Sequence, residues 1–398
     1  MSKSWQTRLM HPDAGAPQGY RSLVTPVYRG STTIFPNSAA VTDRWDQERV
    51  GYTYGLYGTP TTLELAARIC ELESGRYTIL TPGGQSAISL IDFALLAAGD
   101  HILVPRSIYG PNRLLTKSLL ARFGVATTYY DPLIGGGIAD LIQPNTRLIW
   151  TESPGSVTME VQDVPAIAAA AHARGVTVVL DNTWAAGVLF DAFAHGVDVT
   201  MQALTKYVGG HSDLLLGSIT VRDEALYERL GAARQVVGCA VSPDDCSLAL
   251  RGLQTLAVRL SAVEQSAVAI ARRLADRLEI ERVLHPALPS CPGHEFWKRD
   301  FTGSSGVFSF VLKPGPSREQ VRRFVDALQL FKVGYSWAGT ASLAVAYTIA
   351  GAARPHYDHR LVRLSIGLES TQDLIDDIEQ ALTTLPAEAF KSPGGAMQ

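Results

Sequence analysis

The sequence predicts an α/β protein, a mostly parallel sheet covered by helices on both faces and followed by a smaller C-terminal α+β domain. Three observations carry this. Short β-type runs alternate with amphipathic helical stretches between residues 77 and 230. The run Val176-Thr-Val-Val-Leu180 has no outward polar alternation, as expected of a strand buried on both faces. Past Ser242-Pro-Asp-Asp the rhythm changes to one long amphipathic helix, then to Pro-rich and Gly-rich turns.

Taken in order, Met1 to about Tyr52 is rich in Pro, Gly, Ser and Thr without a helical period and reads as an extended arm. From Pro60, apolar Leu63, Ala66, Ala67 and Cys70 keep helical spacing, with Thr61 or Thr62 as N-cap. Strands are predicted at 77–80, 101–104, 125–129, 148–151, 176–180 and 218–221, with helices near 86–98, 112–123, 164–173 and 224–230 between them. The long helix is expected over 247–278, then a strand at 307–312, a helix at 318–327, a strand at 361–365 and a closing helix at 371–383. The chain therefore divides into an arm (1–56), a cofactor-sized α/β domain (57–246) and a smaller domain (247–398), with 391–398 expected to be loose.

Composition excludes several classes. A length of 398 residues suits two to three domains at roughly 150 residues each. With 35 Lys and Arg against 38 Asp and Glu, the net charge is −3 and no basic stripe offers itself to nucleic acid. The most apolar stretch, Leu90–Ala98, is broken by Asp92 and falls far short of the roughly 20 residues of a spanning helix. The N-terminus lacks an apolar signal core, so a cytoplasmic protein without a membrane partner is expected. Cys70, Cys239, Cys246 and Cys291 form no C-x-x-C pair and are expected to be reduced thiols.

Three segments carry chemistry. In Ala203-Leu-Thr-Lys206-Tyr-Val-Gly-Gly-His-Ser-Asp213, a lysine bracketed by apolar and turn residues suits an amine of lowered pKa that attacks an aldehyde, although a lysine at a domain edge gives the same pattern. Asp181 closes the apolar run 176–180 at a strand's carboxyl end, where it could hold a pyridinium nitrogen or simply cap a helix. Leu80-Thr-Pro-Gly83-Gly84-Gln-Ser is a glycine turn opening a helix, suited to phosphate, and is neither a dinucleotide fingerprint nor a P-loop. His211 and Asp213 read as loop-packing residues and His101 as structural. His294, His356 and His359 lack metal-ligand spacing, and no metal is expected.

With these residues stand Tyr54-Gly-Leu-Tyr-Gly-Thr-Pro-Thr, Thr151-Glu-Ser-Pro-Gly-Ser-Val-Thr-Met-Glu-Val and Gly293-His-Glu-Phe-Trp-Lys-Arg-Asp-Phe-Thr-Gly-Ser-Ser-Gly306. From about Tyr52 nearly to its end the chain resembles the Cys/Met-metabolism family of pyridoxal phosphate enzymes. The last stretch and Tyr335-Ser-Trp337-Ala-Gly favour its bacterial cystathionine β-lyase branch. The resemblance implies the fold type I architecture with a seven-stranded sheet, pyridoxal 5'-phosphate as cofactor, a homodimer as minimal active unit and a homotetramer as the usual assembly.

It also implies roles. Lys206 would be the Schiff-base lysine and Asp181 the pyridinium partner; Gly84, Gln85 and Thr205 would hold the phosphate. Tyr109 would stack on the ring, and Tyr54 would enter from the neighbouring subunit, both able to assist proton transfer. Arg363 would clamp the substrate carboxylate with Ser336 nearby, and Tyr335 and Trp337 would shape selectivity. A surface strand arginine is the plain alternative for Arg363. Three departures are visible. Leu56 stands where the family often has a phosphate-binding arginine, Ala203 where many relatives carry Ser, and Gly155-Ser156 where much of the wider family has Asn-Pro.

The reaction so implied is α,β-elimination of L-cystathionine to homocysteine, pyruvate and ammonia, in methionine metabolism. The competing expectations are a broader cysteine-S-conjugate β-lyase, a γ-eliminating relative, or a fold relative without turnover.

Overall fold

The computed structural model describes residues 4–10, 19–349 and 357–390; the tail at 391–398 and His356 lie outside the described residues. Seven strands form the large sheet: β1 (Tyr77–Thr81), β2 (His101–Pro105), β3 (Ala126–Tyr130), β4 (Thr146–Glu152), β5 (Thr177–Asp181), β6 (Val199–Gln202) and β7 (Gly217–Val221), in the order β1-β7-β6-β5-β4-β2-β3. All run parallel except β7, which is antiparallel to both neighbours, so the sheet is mixed rather than purely parallel. Strand β6, four residues long, is one the residue pattern missed.

Alternate side chains enter opposite cores, which explains the unbroken hydrophobic runs. Ile102, Val104, Leu148, Trp150, Val179 and Ile219 pack beneath helices Gly84–Leu95 and Glu224–Val237. Leu103, Ile149, Val178 and Leu180 face the other way, into a core shared with helices Pro60–Leu72 and Val164–His172.

The smaller sheet comprises β8 (Ile280–Leu284), β9 (Val307–Leu312), β10 (Lys332–Val333), β11 (Leu343–Ile349) and β12 (Asp358–Ser365), in the order β10-β11-β12-β9-β8. Helix Pro243–Ala275 joins the two cores: Leu253, Leu256, Leu260 and Val263 pack in the first, Ala267, Ile270 and Leu274 in the second. It starts four residues before the predicted point because Ser242 caps it, Pro243 takes the first position, and Asp244 and Asp245 complement the helix dipole.

Two local expectations change. Helix Pro60–Leu72 is capped by Thr59 rather than Thr61 or Thr62: Thr62 Oγ1 accepts from Thr59 N at 2.6 Å in a capping box. Thr61 instead ties the arm down, donating to Pro26 O at 2.8 Å while accepting from Tyr28 N at 2.8 Å. The arm itself is not wholly extended, because helix Trp5–Met10 folds back to bury Leu9 in the first core.

Asp92 sits fully buried on helix Gly84–Leu95. Its Oδ1 accepts from Trp150 Nε1 at 2.9 Å, and Oδ2 has no partner. Burial pushes this carboxyl up to about 7 from 3.8. Below both values the native and unfolded chains are equally protonated. Between them the unfolded chain ionises first, so Asp92 makes native stability fall as pH rises, by up to about 1.4 kcal/mol per pH unit. Asp92→Asn is accordingly expected to raise the denaturation midpoint relative to wild type more at pH 8 than at pH 5. An equal difference at both pH values would refute this.

Candidate active site

The carboxyl ends of β1, β2, β4, β5 and β6 lie along one edge of the sheet, where open α/β sheets bind ligands. Each contributes a loop: Gly83–Gly84 after β1, Ser107–Tyr109 after β2, Glu152 at the end of β4, Asp181 at the end of β5, and Ala203–Lys206 after β6. Lys206 Nζ donates to Ser336 Oγ at 2.8 Å and stands 5.4 Å from the centre of the Trp337 ring. Burial, then the charge of Arg363, lower the amine to about 8, with Asp181 opposing both. A lysine so placed is largely neutral under mildly alkaline conditions and can act as nucleophile or base.

Asp181 Oδ1 accepts from Thr183 N at 3.0 Å and from Thr183 Oγ1 at 2.5 Å, and so caps a turn rather than a helix. Burial pushes its carboxyl upward despite those bonds and the nearby lysine. A cation in front of it would be strongly favoured. Glu152 lies beside it in register on β4, a neighbour the sequence reading passed over although the strand-end rule that found Asp181 applies equally. Its Oε2 accepts from Tyr109 N at 2.6 Å, and burial followed by Asp181 pushes its carboxyl well above the usual range. Glu152 therefore holds Tyr109 in place beside Asp181. Burial, then Asp181 and Glu152, raise the Tyr109 phenol, which stays protonated.

Arg363, on β12, is 6% exposed, has no carboxylate partner among the described residues, and gives hydrogen bonds through Nη2 to the carbonyls of Tyr335 and Ser336. It lies 5.2 Å from the Tyr347 ring centre. A buried guanidinium facing only carbonyls and an aromatic face is placed to receive a carboxylate. Tyr335 itself is 80% exposed, at the rim. Ser336 thus joins the lysine through its hydroxyl and the arginine through its carbonyl.

Helix Gly84–Leu95 points its N-terminal N–H groups to the same edge. A Cβ on Gly84 would sit 2.7 Å from Ala203 Cβ, so the helix start lies against the segment that carries Lys206. Gln85 Oε1 is buried without a partner. Thr205 Oγ1 is already engaged, donating to Leu216 O and accepting from Leu216 N, both at 3.1 Å. Leu56 brings no cation. Its carbonyl and that of Tyr57 accept from buried Arg234, each at 3.1 Å. Gly155 is compact for a local reason, since a Cβ there would lie 2.5 Å from Ser107.

A helix N-terminus, a desolvated lysine, a carboxylate and an aromatic face fit pyridoxal 5'-phosphate. Lys206 would engage its aldehyde, Asp181 its ring nitrogen, Gly84 and Gln85 its phosphate and Tyr109 its ring. Tyr54 does not join this cluster within one chain. Its contacts include a bridge to Thr32, bonds from Gln47 Nε2 and Tyr57 N to its carbonyl and an edge-on ring at Tyr57. His211 turns its Nδ1 to Gly209 O at 2.7 Å, Asp213 is exposed, and buried His101 bonds Thr146 and Thr128. Among the described residues no group of His, Cys, Asp and Glu is arranged to hold a metal, and no helix is long and apolar enough to cross a membrane.

Known proteins agree with the fold. The profile of the Cys/Met metabolism PLP-dependent enzymes matches residues 6–383, and the chain belongs to that family of pyridoxal-phosphate-dependent enzymes. It is 40% identical to the cystathionine beta-lyase MetC of Escherichia coli, over 95% of this chain and 98% of that one. It is also 40% identical to the cystathionine beta-lyase of Bordetella avium, over 94% of each. The crystal structure of metB from Corynebacterium glutamicum superposes with a TM-score of 0.89 at 29% identity, over 97% and 99% of the two chains. Relatives with other reactions lie a little further away, an L-alanine/L-glutamate racemase of Wolbachia pipientis at 36% and an L-methionine gamma-lyase of Pseudomonas deceptionensis at 34%.

Proposed function

We propose that the protein is a carbon–sulfur lyase that converts L-cystathionine and water to homocysteine, pyruvate and ammonia. The observation that carries this reading is the meeting of base and clamp at one residue: Ser336 accepts from Lys206 Nζ and from Arg363 Nη2. A substrate α-carboxylate on Arg363 therefore places the adjoining Cα in the neighbourhood of Lys206. Bound pyridoxal phosphate supplies the electron sink that makes the Cα proton removable. Lys206 Nζ takes that proton, and the resulting ammonium beside Arg363 favours departure of the β-sulfur as thiolate. Asp181 would pair with the ring nitrogen, Glu152 holds Tyr109, and the Trp337 ring stands beside the lysine amine and meets Tyr207 edge-on.

The two 40% relatives named as cystathionine beta-lyases support this specificity over racemisation or γ-elimination. Product identity tests it. With L-cystathionine, homocysteine and pyruvate are expected in equal amounts; cysteine with 2-oxobutyrate would overturn the reading.

The active unit in this reading is a homodimer, with a pair of dimers as the full assembly. Tyr54 is 45% exposed, on an arm that also exposes Tyr20, Leu23, Ile34, Val41 and Tyr52. An apolar surface of this kind on the segment carrying an expected site residue suits a second copy of the chain. Four unpaired cysteines accord with a reducing cytoplasm.

A further inference from the structure

The segment Phe301-Thr-Gly-Ser-Ser-Gly306 touches none of the reacting groups, yet it ties together the loops that hold them. Tyr207, adjacent to Lys206, is 2% exposed, and its hydroxyl accepts from Gly306 N at 2.8 Å. Gly306 O in turn accepts from Ile366 N at 2.8 Å, three residues beyond Arg363. No side chain fits at this junction, because a Cβ on Gly306 would lie 2.9 Å from Val263 Cβ and 3.0 Å from Ile366 O. The end of the same strand, β12, also fastens the Ser336–Ala338 loop: Ser365 Oγ accepts from Ala338 N at 3.2 Å. Trp337 meets Tyr207 edge-on at 5.6 Å.

A second tether reaches the loop behind Asp181. Trp184 Nε1 donates to Val307 O at 3.0 Å, and Thr302 N donates to Leu189 O at 2.9 Å. Ser304 N is held by Glu264 Oε1 at 2.7 Å. One backbone segment is therefore bonded to the lysine loop, to the aspartate loop and to the strand of the arginine.

We propose that Tyr207 is a positioning residue: through Gly306 it sets the distance between Lys206 and the carboxylate clamp Arg363, and so governs affinity for the amino-acid part of the substrate. This rests on the clamp role of Arg363. Burial pushes the phenol up to about 12, so the hydroxyl stays neutral throughout the working range. Tyr207→Phe keeps the ring against Trp337 and removes the hydroxyl, leaving the Gly306 N–H buried without its acceptor and ending the contact with the Ser305 side chain.

The test uses the holoenzyme and glycine, an α-amino acid with no side chain, with binding read from the change in cofactor absorbance. Tyr207→Phe is expected to weaken glycine binding about tenfold, while cofactor content and the absorbance of the unliganded enzyme stay as in wild type. A dissociation constant within twofold of wild type would overturn the proposal, as would a loss explained wholly by lower cofactor occupancy. Should Tyr207→Phe fail to fold, Gly306→Ala displaces the same junction from the other side, its Cβ 2.9 Å from Val263 Cβ, and is expected to weaken glycine about threefold to tenfold; no change there would equally overturn it. Arg363→Ala is the control. If that variant binds glycine as wild type does, the clamp reading itself is wrong, independently of Tyr207.

Discussion

Lys206→Ala is expected to lower turnover of L-cystathionine by at least about 10³-fold while the protein still folds and binds cofactor. The loss follows from geometry. Lys206 is the amine placed between Asp181 and Arg363, and burial lowers it to about 8, where a proton can be both taken and returned. Lys206→Arg is expected to fail almost as completely, since a guanidinium retains its proton and cannot serve as base. Cofactor retention by both variants, followed by absorbance, distinguishes lost chemistry from lost structure, because Asp181 and the start of helix Gly84–Leu95 remain. The same variant probes the assembly. If each site borrows Tyr54 from its partner, as proposed, Tyr54→Ala chains are expected to be inactive. Co-expressed Lys206→Ala and Tyr54→Ala chains should then recover about a quarter of wild-type activity, since a mixed dimer holds one intact site. No recovery in demonstrably mixed dimers would place Tyr54 outside the partner's site.

Arg363→Ala is expected to raise KM for L-cystathionine about 100-fold, the worth of two charge-assisted hydrogen bonds to a carboxylate at roughly 1.5 kcal/mol each. Arg363→Lys should recover part of the charge but not the planar fork and fall between the two. A second signature comes from electrostatics. Arg363 lowers the Lys206 amine, so removing the guanidinium raises it and moves the acid limb of the rate profile to higher pH. KM rising without that displacement would separate the clamp from the lysine, contrary to the shared contact at Ser336.

Much of this site was legible because it lies where backbone pattern and chemistry coincide. Asp181 ends a run of buried β-type residues, and Lys206 sits in a turn of small and apolar residues; both patterns are local. Glu152 escaped because its strand was read as ending at Thr151, one residue early, and its meaning depends on pairing with Asp181 across the sheet. Tyr207 escaped for a similar reason: its partner Gly306 is 99 residues away.

Among the secondary elements, β6 is only four residues and β10 only two, too short to show a period. Strand β8 hides its pattern behind exposed Glu281 and Arg282, and half-buried β11 alternates too weakly to stand out beside the Gly-rich turn before it. The direction of β7 could not be read from its residues at all, since it is set by what precedes and follows it in space. Its register does leave a trace, because Gly217 is obliged to be glycine: a Cβ there would lie 2.4 Å from Gly83 O, in the loop that opens helix Gly84–Leu95.

The most direct measurement compares initial rates for purified holoenzyme with L-cystathionine, L-methionine and L-alanine under one set of conditions, with products identified in each case. The expected result is kcat/KM for pyruvate and homocysteine formation from cystathionine at least about 100-fold above methionine cleavage or alanine racemisation. Faster racemisation of alanine, or 2-oxobutyrate as the main product from cystathionine or methionine, would contradict assignment of this lysine–arginine site to β-elimination.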